Sequence, residues 1–376
     1  MTVRRCMAAS LLFVACSSEP SAIDAATSDA SAVPDAAPTS DAGTDALVID
    51  AAPDASDAPP ARLHASGSDI VDEAGNRVIL RGYSWGAWGT AIERDGADNA
   101  AQGANVVRLP LRWWGQYHGN VDSYIDDASQ HYVDPHHLQM LDDTIRWATD
   151  AGLWVVLFLD SDCGQDASSD AAYCNGNNFW NDSTMRAHFA DLWRLLVRTY
   201  RDHPLIAAYE LLPEPQWTGA HADIRQFYEE MTAVVRELDT RTPVIMGPAD
   251  AYNAHWLEDA YTTVDDNIIY TVDDFLFTSP APGHLADMQA FSSAHHVPVW
   301  VNQIGIESGR DMASTYAGQA LDALNAAHIG WAWWTYRIDS MDPSVHGMYY
   351  LAADGRTWVP KNDWLSLVGG ELVAPR

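Results

Sequence analysis

Tyr200-Arg201-Asp202-His203-Pro204-Leu205-Ile206-Ala207-Ala208-Tyr209-Glu210-Leu211-Leu212-Pro213-Glu214-Pro215 is the stretch on which the fold turns. Its run Ile206–Leu212 is almost continuously apolar and is closed by proline, which reads as a short strand buried on both faces. Helical patterns flank it, over Ser183–Arg201 before and Asp223–Thr240 after. The same unit recurs along the chain. Candidate strands are Val78–Gly82, Asn105–Leu109, Trp154–Asp160, Ile206–Leu212, Val244–Gly247, Ile268–Val272, Val299–Asn302 and Gly330–Tyr336. Further helices are expected at Pro135–Ala151, where Leu138, Leu141, Ile145 and Ala148 fall at helical spacing, and at Ser314–Ala327. Strands buried on both faces and separated by helices make a parallel sheet, and eight such units point to an α/β fold closed as a (β/α)8 barrel. A doubly wound sheet is the competing architecture, but no Gly-x-Gly-x-x-Gly follows the first strand. A short hairpin is expected ahead of the barrel over Arg62–Asn76, with Asp72-Glu73-Ala74-Gly75-Asn76 as its turn.

The chain is 376 residues long, and its first part does not read as core. Residues 1–16 resemble a lipoprotein signal: basic Arg4 and Arg5, an apolar run from Met7 to Ala15, then Cys16 followed by Ser17 and Ser18. The run is too short to cross a bilayer. Residues 17–61 are mostly Ala, Asp, Ser and Pro, with nine acids and no base. Such a segment cannot bury enough apolar surface to fold and is expected to stay extended as a linker. Residues 62–376 are the barrel. The expectation is therefore an exported protein, lipid-anchored through Cys16 at a bacterial outer membrane or cell surface, and otherwise secreted. Cys163 and Cys174 remain within one loop, where an oxidising compartment favours a disulfide.

The formal net charge is −31. It disfavours nucleic acid and anionic membrane as partners and suits a soluble protein meeting a neutral substrate. Contact with membrane is expected only through the lipid anchor, and a monomer is expected. Sixteen tryptophans and fifteen tyrosines fit either a well-filled core or a platform for sugar rings, whose apolar faces stack on aromatics.

At the expected C-terminal ends of the strands, where barrels of this kind place their chemistry, the chain resembles glycoside hydrolase family 5, the cellulase-like enzymes. The resemblance lies in Arg81-Gly82-Tyr83-Ser84-Trp85-Gly86, Asn105-Val106-Val107-Arg108-Leu109-Pro110, the stretch from Tyr200 to Pro215, Pro298-Val299-Trp300-Val301-Asn302-Gln303-Ile304-Gly305 and Gly330-Trp331-Ala332-Trp333-Trp334, all in the right order. It implies retaining hydrolysis of a β-linked glycan, such as a β-glucan or β-mannan, by two carboxyl groups and without a cofactor. By position Glu214 resembles the general acid/base. Arg108 resembles the arginine on the site floor, and Trp334 the tryptophan beneath the sugar. Trp85 and Trp217 are further candidates for sugar contact on the strand-end face.

Four positions depart from the family pattern. Gln303 stands where the nucleophilic glutamate is usual, and an amide can neither form the glycosyl ester nor offset oxocarbenium charge as an anion does. Pro213 replaces the asparagine usual before the acid/base. Asp160 stands at the end of strand three, and Val272-Asp273-Asp274 at strand six, where histidines are usual. One expectation is an O-glycosyl hydrolase with Glu214 as acid and Asp160 or Asp273 as base for a water. That is an inverting arrangement, which needs carboxylates roughly 6.5–9.5 Å apart. The alternative is a non-catalytic carbohydrate-binding pseudoenzyme tethered at the cell surface. Glu307, four residues beyond Gln303, reads as a surface residue of the following loop. No set of residues has metal-ligand spacing, so no metal is expected.

Overall fold

The computed structural model describes residues 62–85, 90–112, 135–160, 183–215, 221–248, 254–275 and 285–374. Cys16, the linker, the Cys163 and Cys174 loop and Trp217 lie outside the described residues.

The chain enters through an antiparallel hairpin, β1 (Leu63–Ser66) and β2 (Asp69–Asp72). Its turn is at Gly67 and Ser68, earlier than the sequence suggested, and Gly67 takes φ +57°, which glycine adopts without strain. The segment Asp72–Asn76 is a second turn, which closes on itself after β2. Asp72 Oδ1 accepts the amides of Ala74 and Asn76, which is why that run carried turn chemistry without being the hairpin loop.

Eight parallel strands then close the barrel: β3 (Arg81–Ser84), β4 (Val106–Arg112), β5 (Trp154–Asp160), β6 (Ile206–Glu210), β7 (Val244–Met246), β8 (Ile268–Phe275), β9 (Val299–Gly305) and β10 (Gly330–Trp334). Sheet order follows chain order, and β10 pairs back onto β3. The described helices are α1 (Asp95–Ala101), α2 (Pro135–Asp150), α3 (Ser183–Tyr200), α4 (His221–Arg236), the single turn α5 (Leu257–Ala260), α6 (Leu285–His295), α7 (Ala313–Ala326) and α8 (Asn362–Leu372). A small antiparallel pair, β11 (Tyr349–Leu351) and β12 (Trp358–Pro360), precedes α8.

Alternation along each strand separates two apolar layers. Val107, Leu109, Val155 and Leu157 face outward into a mantle with helix residues such as Phe189, Trp193 and Leu321. Val106, Val156, Ile245, Ile269, Trp300 and Ala332 fill the lower axis, together with Leu63 and Ile70 of the hairpin. The hairpin is thus the plug of the barrel's N-terminal mouth, pinned by Ala65 N–H donating to Asn267 Oδ1. β3 and β4 approach so closely that a Cβ on Gly82 would stand 1.8 Å from the Val106 carbonyl oxygen. That contact explains the glycine in mid-strand.

The strands outlast their apolar runs at the C-terminal end. β8 continues through Asp273 and Asp274, and β9 through Asn302 and Gln303. Polar residues therefore line the upper axis, above the apolar plug.

Candidate active site

The floor of the upper axis is an ion pair. Arg108 on β4 and Glu210 on β6 are 0% and 1% exposed, and the guanidinium donates through Nε to Oε2 at 2.6 Å and through Nη2 to Oε1 at 2.7 Å. A buried charge needs such a partner, and the planar fork of arginine supplies a two-point one. The guanidinium carbon lies 3.6 Å from the ring centre of Phe158, and Asn302 Nδ2 adds a third hydrogen bond to Glu210 Oε1 at 2.7 Å. Neither Glu210 nor Asn302 is among the site residues that the family resemblance implies. The signal for Glu210 was an acid inside an otherwise apolar strand, which requires a cation from another strand.

Above this floor sits Glu214. The backbone leaving β6 is held by Trp193 Nε1 donating to the Leu211 carbonyl and by the Tyr228 hydroxyl donating to that of Leu212. Glu214 follows at φ +46°, a left-handed conformation that a non-glycine residue keeps only under constraint. The prolines on either side restrict it further. Its half-buried carboxylate points back over the barrel, and Gln303 Nε2 donates to its Oε1 at 2.5 Å.

The same nitrogen of Gln303 donates to Asp273 Oδ1 at 2.8 Å. Asp273 and Gln303 are cross-strand partners, whereas one residue earlier Val272 pairs with Val301. Asn302 is therefore the extra residue of a β-bulge. The bulge lets two consecutive side chains, Asn302 and Gln303, both turn toward the axis. Its amide is not orphaned, because Asn302 N–H donates to Thr271 Oγ1. Asp273 is 2% exposed. Burial, and then the negative charge of Glu214, push its carboxyl well above the ordinary carboxylate range.

The two bonds to one nitrogen fix a spacing. The facing oxygens of Glu214 and Asp273 lie within the sum of 2.5 Å and 2.8 Å, that is 5.3 Å, of each other. That bound concerns the nearest oxygens alone, and it gathers both carboxyl groups around one amide on the barrel axis.

The other expected site residues distribute as follows. Trp334 ends β10 half-buried, beside Ser84 of β3. Trp85 is 2% exposed and donates its indole N–H to Asn99 Oδ1 at 2.9 Å, so its polar edge is used inside the fold. Asp160 is the last residue of β5 and is paired in register with Arg112. Glu307 lies in the loop after β9 and pairs with Arg310 at 2.8 Å. A second buried ion pair went unread in the sequence: Arg337 holds Asp95 through two bonds of 2.7 Å and 2.5 Å and packs over Tyr349. It clamps the chain after β10 onto α1. Among the described residues no cluster of His, Cys, Asp and Glu has the geometry of a metal site.

With this geometry in place, comparison with known proteins adds three findings. The profile of Cellulase (glycosyl hydrolase family 5) matches residues 71–340. Among curated relatives, a probable glucan 1,3-beta-glucosidase A of Neosartorya fischeri is 30% identical over 207 residues, covering 53% of this chain and 47% of the relative. The match thus spans about half the length of that protein. A beta-xylosidase of Phanerodontia chrysosporium is 23% identical over 78% of this chain and 74% of its own length. Among solved structures, the cellulase Cel5C_n superposes with a TM-score of 0.63 at 18% identity, over 84% of this chain and 93% of the other, a likeness of fold. The Thermobifida fusca endoglucanase Cel5A catalytic domain, solved as a Glu→Gln variant in complex with cellotetraose, superposes with a TM-score of 0.60 at 19% identity, over 83% and 97%. A profile match across most of the chain, on a closed barrel with its polar groups gathered at the C-terminal strand ends, places the chain in glycosyl hydrolase family 5.

Proposed function

We propose that this barrel captures a β-linked glycan at its C-terminal mouth and does not hydrolyse it by double displacement. The observation that carries the reading is the Gln303 amide, which occupies the nucleophile position and donates to both Glu214 and Asp273. Double displacement needs an anion able to attack the anomeric carbon, and an amide is not one. The other carboxyl that the amide touches, Asp273, is buried, and that burial and the charge of Glu214 hold it well above the ordinary carboxylate range. Above the Arg108–Glu210 floor, Glu214 and the half-buried Trp334 remain as groups that hold a sugar by hydrogen bonds and stacking. The Glu→Gln endoglucanase variant solved with cellotetraose supports the idea that such a barrel still holds a glycan when a glutamate has become an amide. The lipoprotein-like start and the acidic linker support a tethered placement at the cell surface.

A second reading has one observation in its favour. The bound of 5.3 Å between Glu214 and Asp273 is compatible with the separation of about 5–5.5 Å used by retaining pairs. On that reading Asp273 is the nucleophile and Glu214 the acid/base.

The experiment runs calorimetric titration and a reducing-end assay side by side on the purified chain, with β-linked gluco-, manno- and xylo-oligosaccharides. Saturable binding without new reducing ends is the expected result. Trp334→Ala should weaken that binding by about tenfold, the loss of one stacking platform. Reducing ends that accumulate with the parent and disappear in both Glu214→Gln and Asp273→Asn would establish the second reading instead.

A further inference from the structure

The upper axis holds the means to move a proton and lacks the means to attack carbon. Glu214 keeps φ +46°, and backbone strain of that kind gathers at functional sites, where the surroundings impose it. Trp193 and Tyr228 grip the carbonyls of Leu211 and Leu212 just ahead of it. The Tyr228 oxygen also accepts the amide of Gly247 at 3.3 Å, so the same turn is braced from just past β7. Such bracing suits a group whose direction matters, as that of a proton donor does. Opposite stands the Gln303 amide. A neutral amide attacks an anomeric carbon only when it belongs to the same molecule, where proximity makes up for weak nucleophilicity. Gln303 is not so placed, but an acetamido group on C2 of a sugar is.

The second observation is what rests on Asp273. Gln303 Nε2 donates to its Oδ1 at 2.8 Å, and the residue is 2% exposed. The structure thus shows an amide N–H seated on a buried carboxyl, beside the candidate acid. A 2-acetamido sugar brings the same donor, and its carbonyl oxygen reaches its own anomeric carbon.

Resting on the reading that this mouth holds a β-glycan and has no nucleophile of its own, we infer that it cleaves β-linked 2-acetamido-2-deoxy sugars. The substrate's acetamido oxygen is the nucleophile, Glu214 the acid and then the base, and Asp273 the acceptor of the acetamido N–H. In the first step the acetamido oxygen bonds to C1 as the bond from C1 to the leaving oxygen breaks. The leaving oxygen keeps that electron pair and takes the proton of Glu214. The product is a cyclic oxazolinium, whose N–H donates to Asp273 and whose positive charge that carboxylate offsets. Burial and the charge of Glu214 hold the Asp273 carboxyl high, and a cation forming against it favours its ionised form. Water then attacks C1 and yields a proton to Glu214, and the bond from C1 to the acetamido oxygen breaks. The acetamide and Glu214 are restored, and configuration at C1 is retained. Gluco-, manno- and xylo-oligosaccharides carry a hydroxyl at C2 and cannot take this route.

The test incubates the full chain with a β-1,4-linked N-acetylglucosamine hexamer, the same hexamer carrying N-trifluoroacetyl groups, and cellohexaose, and measures new reducing ends and binding. The acetylated hexamer should be cut and cellohexaose left whole. Fluorine draws electrons from the attacking oxygen, so cleavage of the trifluoroacetyl hexamer should be lost. Glu214→Gln and Asp273→Asn should each slow cleavage about a hundredfold or more, with folding checked by thermal melting. The comparison of acyl groups is made on the parent and needs no variant. Equal rates on the two acylated hexamers would assign the nucleophile to the protein and overturn the inference, as would an Asp273→Asn protein as fast as the parent. An acetylated hexamer that binds and stays whole overturns it while leaving glycan capture intact. Cleavage of cellohexaose, or binding of no oligosaccharide at all, overturns both.

Discussion

Gln303→Glu is the substitution that restores the family's usual residue, and here it should cost stability. The wild-type amide donates one hydrogen bond to Glu214 at 2.5 Å and one to Asp273 at 2.8 Å. Hydrogen bonds to charged acceptors contribute about 1.5–3 kcal/mol each, so replacing the donor with an acceptor removes roughly 3–6 kcal/mol before any like-charge repulsion is added. That is a large part of the roughly 5–15 kcal/mol by which folded domains are stable. The loss depends on pH in a definite direction. Asp273 already titrates above the ordinary carboxylate range, through burial and then Glu214, and a third carboxyl among these two is pushed the same way. A carboxyl whose folded pKa is raised leaves the folded state fully stable below the unfolded value and loses that stability as pH rises through the folded value. The deficit should therefore be greatest at about pH 7.5 and shrink toward about pH 4, near the unperturbed carboxyl range. Urea unfolding of the parent and the variant at both pH values measures it. Adding Asp273→Asn to Gln303→Glu returns a donor to the pair and should recover most of the loss. Equal stability of parent and variant at pH 7.5, or a deficit that grows on acidification, would refute this account of the site.

Two further expectations concern the frame around the site. Arg108→Met should cost about 3–5 kcal/mol in urea unfolding, because Glu210 is left as a buried carboxylate with Asn302 as its remaining side-chain donor among the described residues. Arg108→Met with Glu210→Leu should recover much of it, and a double-mutant cycle reads the coupling directly. Gly82→Ala drives a methyl group into the Val106 carbonyl at 1.8 Å, between two strands of a closed barrel that cannot spread. A loss of about 3 kcal/mol or more is expected, read as a lowered melting temperature.

Apolar patterning carried the architecture and stopped where the chemistry begins. The eight strands were all legible because each is buried on both faces. β5 was read to its exact ends, since Trp154–Asp160 is apolar until its last residue. β3 was read early, at Val78–Gly82, because Val78, Ile79 and Leu80 are apolar but lie below the barrel ladder, where Val78 N–H bonds to the hairpin at Ile70. β8 and β9 extend further than their apolar runs, since Asp273, Asp274, Asn302 and Gln303 look like loop residues although their backbones stay in the barrel ladder. At the site, the position of Gln303 could be inferred from the family resemblance, and its departure from the pattern was visible at once. Its partners could not be inferred. That Asp273 stands directly beside it depends on the bulge at Asn302, a one-residue slip that no periodicity announces. The Arg108–Glu210 and Arg337–Asp95 pairs join residues 102 and 242 positions apart, and charge alone does not say which acid meets which base.

The bulge also wires two neighbourhoods together. Asn302 and Gln303 share one peptide unit, yet the first grips the Arg108–Glu210 floor and the second touches the carboxylates at the mouth. Whatever occupies the mouth and moves Gln303 must pull on a fully buried ion pair through that peptide. Occupancy is then reported by the whole barrel, since a ligand held by the folded state alone raises the free energy of unfolding as its concentration exceeds its dissociation constant. A melting curve, which needs neither turnover nor a label, thus becomes a broad screen for what this protein holds.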